Sequence, residues 1–247
     1  MNNEKANEKR LDRREVIRII GAAGAAAVAA ACGSETATSP SVVASTVTTT
    51  AGTGVTGGTS SSNDACAVSP NETAGPYPSK SDIIRSDIRE NRQGVPLALT
   101  IRVINVSNGC APLANANVEI WQCDAAGNYS EYGSQTSQTY LRGIQTTDAN
   151  GQVSFMTVYP GWYQGRATHI HIEVTMNGRS VKVTQIAFPE TINNAVYATG
   201  VYASRGSNPT SNLQDGIFAD SLSSELVTPS GNPTAGYSAS YQVGVTL

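Results

Sequence analysis

Histidine is scarce in this chain, with two in 247 residues, and the scarcity leaves one place for imidazole chemistry: His169-Ile170-His171. Cysteine numbers four with no CxxC spacing, so a cysteine-built metal cluster has no footing. An excess of basic charge is missing too. Six of the 16 Lys+Arg and four of the 19 Asp+Glu fall in residues 1–32, which leaves 10 bases against 15 acids in the rest. A net-acidic body offers no basic face to nucleic acid. No long stretch has helical periodicity, and no internal repeat is present. The apolar run Val16 to Ala31 is short, Ala-rich and broken by Arg18, which argues against a transmembrane anchor.

What remains is a series of short alternating runs: Leu97–Ile104, Asn117–Trp121, Gln152–Val158, Ala167–Val174, Val181–Phe188 and Tyr241–Val245. Each has strand length and is bounded by Gly, Pro, Asn or Asp. An all-β fold follows, an antiparallel β-sandwich whose loops carry the chemistry. The histidines lie on the Ala167–Val174 run, where residues two apart share a face. Both imidazoles then face one spot, the geometry of a metal site for Zn, Cu or Fe.

The chain divides into three parts. Residues 1–32 read as a secretory signal, with Lys5, Lys9, Arg10, Arg13 and Arg14 before the apolar run and small residues before Cys32. Arg13-Arg14, followed by Glu15-Val16-Ile17-Arg18, fits the twin-arginine type. Ala29-Ala30-Ala31-Cys32 resembles a lipobox with Ala29 where a Leu is usual, which makes Cys32 the expected lipidation site; cleavage near Ala31 without acylation is the alternative. Residues 33–64, almost wholly Ser, Thr, Gly, Ala and Val, read as a flexible tether. Residues 65–247 are then one domain, exported and held at the periplasmic or extracellular face of a membrane. Such a compartment favours disulfides. Cys110 and Cys123 flank what reads as one β-hairpin and are the expected pair, with Cys66 free or bonded to another chain.

Five separated motifs occur in a fixed order. They are Val118-Glu119-Ile120-Trp121-Gln122 through Gly127-Asn128-Tyr129; Arg142-Gly143 with Thr147-Asp148 and Gly151; Phe155-Met156-Thr157 with Pro160-Gly161-Trp162-Tyr163; Gly165-Arg166-Ala167-Thr168-His169-Ile170-His171; and Thr184-Gln185-Ile186. In these residues the chain resembles the intradiol ring-cleavage catechol dioxygenases, from about residue 64 to 247 and most strongly from 118 to 188. The resemblance implies a mononuclear non-haem Fe(III) held by Tyr129, Tyr163, His169 and His171. It implies that Arg166 stands beside the substrate and Gln185 at the pocket wall, and that Gly75, Pro76 and Tyr77 of Thr73–Pro78 wall the pocket. The implied substrates are a catechol-type aromatic and O2, the product a muconate-type diacid, and Tyr163 the phenol that a bound catechol displaces. Association with further copies is left open.

The donor set is chemically coherent, because a bound cation makes the phenolate the favoured form of a group whose ordinary pKa is about 10. Two departures from the family stand out: Tyr163 is closer to His169 than in the protocatechuate enzymes, and the helical N-terminal dimerisation region of the cytoplasmic catechol enzymes is absent. Three rivals remain. Glu173, on the histidine strand and face, would complete a two-His-one-carboxylate Fe(II) centre, at the cost of leaving both tyrosine motifs without a role. Arg166 could serve as a structural salt bridge. A non-catalytic β-sandwich binding or adhesion module would suit the tether equally well.

Overall fold

Alternation builds the first sheet. Strand β1 (Pro96–Asn105) turns Leu97, Leu99, Ile101 and Val103 inward and leaves Ala98, Thr100 and Arg102 on the opposite face, the period-2 pattern that gives a strand one apolar side. It pairs with β2 (Ala111–Pro112) and β5 (Gln152–Val158), both antiparallel, and with β9 (Gly236–Val245), which carries β8 (Ser230–Asn232) on its far edge. The second sheet has the order β4 (Arg142–Thr146), β3 (Asn117–Trp121), β6 (His169–Met176), β7 (Arg179–Ala187), antiparallel throughout. Val118, Ile120, Ile170, Ile172, Val174 and Ile186 of this sheet meet the inward residues of the first in one core. The sandwich is therefore antiparallel except for β1 and β9, which run parallel. A parallel pair needs a long connection, and here it is residues 106–235, which include the whole second sheet.

The structure, a computed structural model, describes residues 66–247. The expected signal with Arg13, Arg14 and Cys32, and the expected tether of residues 33–64, lie outside the described residues. Among the described residues no helix is long and apolar enough to cross a membrane. Two short helices were not expected: α1 (Glu190–Tyr197) and the single turn α2 (Leu222–Glu225). The first spans eight residues and contains Thr191, Ile192 and Val196, types that favour strands. Burial of Asn193, Val196 and Tyr197 against the sandwich decides its form.

The segment before β1 acts as a strap across the outer face of the second sheet. Glu72 N donates to Val183 O at the β7 edge, and Arg85 N to Ile144 O at the β4 edge. Between those edges the strap passes over the histidine end of β6.

Its start is held by the disulfide, and here the expected pairing is wrong. Cys66 bonds Cys110, with Cα atoms 5.6 Å apart, while Cys123 is a buried free thiol. The hairpin that suggested Cys110–Cys123 does not exist, because β2 pairs with β1 and not with β3. The chain leaves the first sheet after β2 and enters β3 in the second, so the two cysteines belong to different layers. Cys123 packs with Trp121 and Tyr129, and burial, then Asp124, pushes its thiol up to about 12. The Cys66–Cys110 bond closes a separation of 44 residues, for which a contribution of about 2–4 kcal/mol is ordinary. Cys66→Ser should lower the unfolding free energy by that amount and abolish its dependence on reductant, whereas Cys123→Ser should leave that dependence intact. A wild-type chain whose denaturation midpoint ignores reductant would count against this pairing.

Candidate metal centre

Strand β6 turns Ile170 and Ile172 into the core and His169 and His171 away from it, under the strap. His169 Nδ1 lies 2.6 Å from the Ala167 carbonyl, an acceptor, so the proton belongs on Nδ1 and the Nε2 lone pair is free. Trp121, opposite His171 in the β3–β6 register, stacks flat on it at 4.8 Å between centroids and 2° between planes. Gly75 of the strap closes the other side. Its φ is +69°, and a Cβ there would stand 3.2 Å from His171 Cε1, so a side chain would strain the backbone and crowd the imidazole.

Two phenols complete the group. Tyr129 Oη and Tyr163 Oη each lie 3.4 Å from His169 Nε2, which lies 3.2 Å from His171 Nε2. These separations are long for hydrogen bonds. They match donors that share one ion: two atoms each about 2.1 Å from a metal and roughly 100° apart stand about 3.2 Å from each other. Tyr129 is buried and Tyr163 half-buried. Tyr77 stacks on Tyr129 at 4.6 Å and meets Tyr163 edge-on at 5.9 Å. A cavity of 140 Å³ lies along Tyr77, Tyr129 and Tyr132.

Electrostatics prepares the four groups for a cation. Burial, then Arg166, lowers the His169 pKa to about 3. Burial, then His169 and the two arginines Arg166 and Arg142, holds His171 well below its ordinary value. Both imidazoles are thus neutral lone-pair donors at physiological pH. Burial raises both phenols, Tyr129 well above its ordinary range, so without a counter-charge they keep their protons. A trivalent cation reverses that preference, and the donor set fits iron(III).

The structure also settles several expectations. Glu173 is not part of the group: it lies two pairs beyond His171 along β6, opposite Glu119. Among the described residues no three His, Cys, Asp or Glu side chains converge on a metal position. The two-His-one-carboxylate alternative therefore fails, because no carboxylate joins the two imidazoles. Tyr159 is remote from the centre, its Oη donating to Asn193 Oδ1 of α1 at 2.7 Å.

Arg166 is engaged on two sides. Its Nε is 2.8 Å from Asp215 Oδ2 and its Nη2 donates to Gln185 Oε1 at 2.6 Å; Gln185 Nε2 in turn donates to Thr73 O of the strap at 2.8 Å. The salt bridge and the place beside the site are both present. Two contributors, Asp215 and Phe218, went unseen in the sequence, and a third, present there only as part of a motif without a role, is Arg142. The last is fully buried, pairs with Glu131 at 3.3 Å, and donates to Tyr77 O and Ser130 O. It thereby ties the strap to the residue after Tyr129.

A dioxygenase family model matches residues 69–196. A solved intradiol ring-cleavage dioxygenase from Tetranychus urticae superimposes with a TM-score of 0.65 at 31% identity, over 73% of this chain and 95% of that one. The chain belongs to the intradiol ring-cleavage dioxygenase family. It is also similar to catechol 1,2-dioxygenase of Candida albicans, 36% identical over 109 residues, 35% of this chain and 36% of that protein. Protocatechuate 3,4-dioxygenase beta chain of Burkholderia cepacia is 32% identical over 120 residues, 42% of this chain and 51% of that one. The match thus spans about a third to a half of these two relatives.

Cation binding must expel the phenol protons that burial retains, whereas the imidazoles, with His169 near 3, release none above pH 5. Calorimetry of Fe(III) uptake in buffers of different ionisation enthalpy should count at least two protons released per ion. Affinity should then fall by up to about 100-fold per pH unit as pH drops below the phenol range. A count of zero would remove the tyrosines from the donor set.

Proposed function

We propose that this protein is an Fe(III)-dependent intradiol dioxygenase that opens a catechol-type ring between its two hydroxyl-bearing carbons, with O2 supplying both new oxygens of a muconate-type diacid. The observation that carries the reading is that two phenol oxygens and the His171 Nε2 each stand 3.2–3.4 Å from His169 Nε2, with Arg166 alongside and no carboxylate among the donors. Ferric iron held by Tyr129, Tyr163, His169 and His171 would supply Lewis acidity that eases ionisation of the catechol hydroxyls.

The chain's own groups then divide the work. Tyr129, buried beneath Tyr77, and the two histidines keep their places. Tyr163, half-buried and two residues before Gly165, is the donor free to swing aside, and its Oη takes a catechol proton as it leaves. The Arg166 guanidinium, aimed by Asp215 and Gln185, stabilises negative charge that develops on the ring, as a preorganised cation should. Tyr77 and Tyr163 offer aromatic surfaces to a planar substrate. Membership of the family supports the reaction type, and the catechol 1,2-dioxygenase relatives support a catechol-type substrate.

The iron-loaded chain should be coloured by tyrosinate-to-iron charge transfer, and with catechol should consume one O2 per ring without added reductant. His169→Ala or His171→Ala should lose iron and turnover together. Tyr163→Phe should retain part of the iron, shift the visible band and lower kcat by about 100-fold. A product cleaved outside the two hydroxyls, or a requirement for ascorbate, would overturn the reading.

The same proposal places the enzyme outside the cytoplasm, tethered through Cys32. Support comes from the twin-arginine motif and from the Cys66–Cys110 bond, which suits an oxidising compartment. Arg13→Lys combined with Arg14→Lys should strand the precursor inside the cell, and undiminished export of that variant would redirect the proposal to the general secretory route.

A further inference from the structure

Residues 208–218 belong to no strand and lie beyond the stretch that the family model matches. They nevertheless grip the entry to β6 at three points. Asn208 Nδ2 donates to Arg166 O at 3.0 Å. The Phe218 ring lies 5.8 Å from the Arg166 guanidinium carbon and 6.4 Å from the His169 ring. Asp215, 1% exposed, accepts Arg166 Nε on both carboxylate oxygens, at 3.1 and 2.8 Å.

The Asp215 carboxylate reaches further. Its Oδ2 accepts from Ala167 N at 2.6 Å and its Oδ1 from Ile217 N at 2.9 Å. Ala167 is also the residue whose carbonyl faces His169 Nδ1 at 2.6 Å. One buried anion therefore fixes a guanidinium beside the site and the backbone that orients a donor imidazole. With Nε held by Asp215 and Nη2 by Gln185, the guanidinium is fixed beside the Tyr163 phenol, which it also meets.

We infer that Asp215 is a positioning residue for this centre, aiming Arg166 through its side chain and His169 through the backbone of Ala167. The inference rests on the dioxygenase reading of the site. A loop anchor alone would not need charge, since a buried ion pair is often replaceable by apolar packing at no loss of stability. Neither does it need both branches to end on groups of one site.

The test uses the iron-loaded full chain with Asp215→Asn, Asp215→Glu, Arg166→Gln and the Asp215→Asn/Arg166→Gln double variant. Removal of such a supporting group ordinarily costs about 10–100-fold in activity or metal affinity. Asp215→Asn should lower kcat on catechol by that factor with KM changed less, and Asp215→Glu should recover part of it. In the Arg166→Gln background the further loss of kcat should be clearly smaller than in the wild-type background, because one of the two routes is already gone and residues that act through one another are non-additive. Iron release to a chelator should accelerate by about 10–100-fold in Asp215→Asn, with a shifted visible band. Should Asp215→Asn not fold, Asp215→Glu is compared with wild type on the same readouts, where a loss in kcat and faster iron release are expected. Full additivity with Arg166→Gln, or iron release and kcat both within two-fold of wild type, would overturn the inference. Iron release and the visible band are read without turnover, so they judge Asp215 even where catechol is not the substrate and the dioxygenase reading itself fails.

Discussion

A strand sends alternate side chains to opposite faces, and in β6 that single rule makes one segment serve core and site together. Ile170, Ile172 and Val174 are buried in the sandwich, so His169 and His171 have no choice but the outer face. A slip of one residue in the register with β3 and β7 would bury both imidazoles among aliphatic side chains. The energy that sets the register is hydrophobic, of the order of 1.5–3 kcal/mol for each buried aliphatic side chain. Placement of the donors is thus a by-product of core packing, and the remaining parts of the centre are built around it.

Gathering positive groups beside four side chains suited to hold a cation raises an electrostatic problem. Arg166 and Arg142 both help to depress the His171 pKa, and each would repel an ion bound by Tyr129 and the histidines. Each is offset by its own buried acid, Asp215 at 2.8 Å and Glu131 at 3.3 Å. Loss of either acid would leave a desolvated guanidinium, a change of about 3–5 kcal/mol for a buried pair. The two pairs have different work. Arg166–Asp215 is the less buried of the two, its guanidinium side chain 15% exposed against 1% for Arg142, and holds Arg166 at the entry to β6. Arg142–Glu131 faces inward and binds strap to loop, so that Tyr77 stays stacked on Tyr129.

Much of this was legible in the sequence wherever a local period or a motif carried it. The six alternating runs are strands, and the spacing of the two histidines placed them on one face. The motif likeness singled out Tyr129 and Tyr163 among ten tyrosines, and these two are the ones that meet the imidazoles. What escaped was non-local. The Cys66–Cys110 pairing depends on which strand neighbours β1, a fact of topology that spacing does not encode. Asp215 sits 49 residues beyond Arg166 in a segment without period or motif. Helix α1 opposes its own propensities and exists because the sandwich buries one side of it. β4 was hidden because its outward Arg142 is polar yet buried, which breaks the alternation that identifies a strand.

The strap explains why a disulfide matters to a centre that contains no cysteine donor. Residues 73–77 supply the Thr73 carbonyl to Gln185, the bare backbone of Gly75 against His171, and the Tyr77 ring over Tyr129. None of these contacts buries enough apolar area to hold an extended segment against its conformational entropy, about 1–2 kcal/mol per residue. The segment must be restrained at its ends. On one side Cys66–Cys110 fastens it to the turn after β1, assisted by Ser69 N donating to Gly244 O and Gly244 N to Ser69 Oγ. On the other side Arg85 and Ile88 add backbone bonds to β4 and β5. With both ends fixed, the middle need supply only shape, which is why a glycine, a proline and a tyrosine suffice to roof the site.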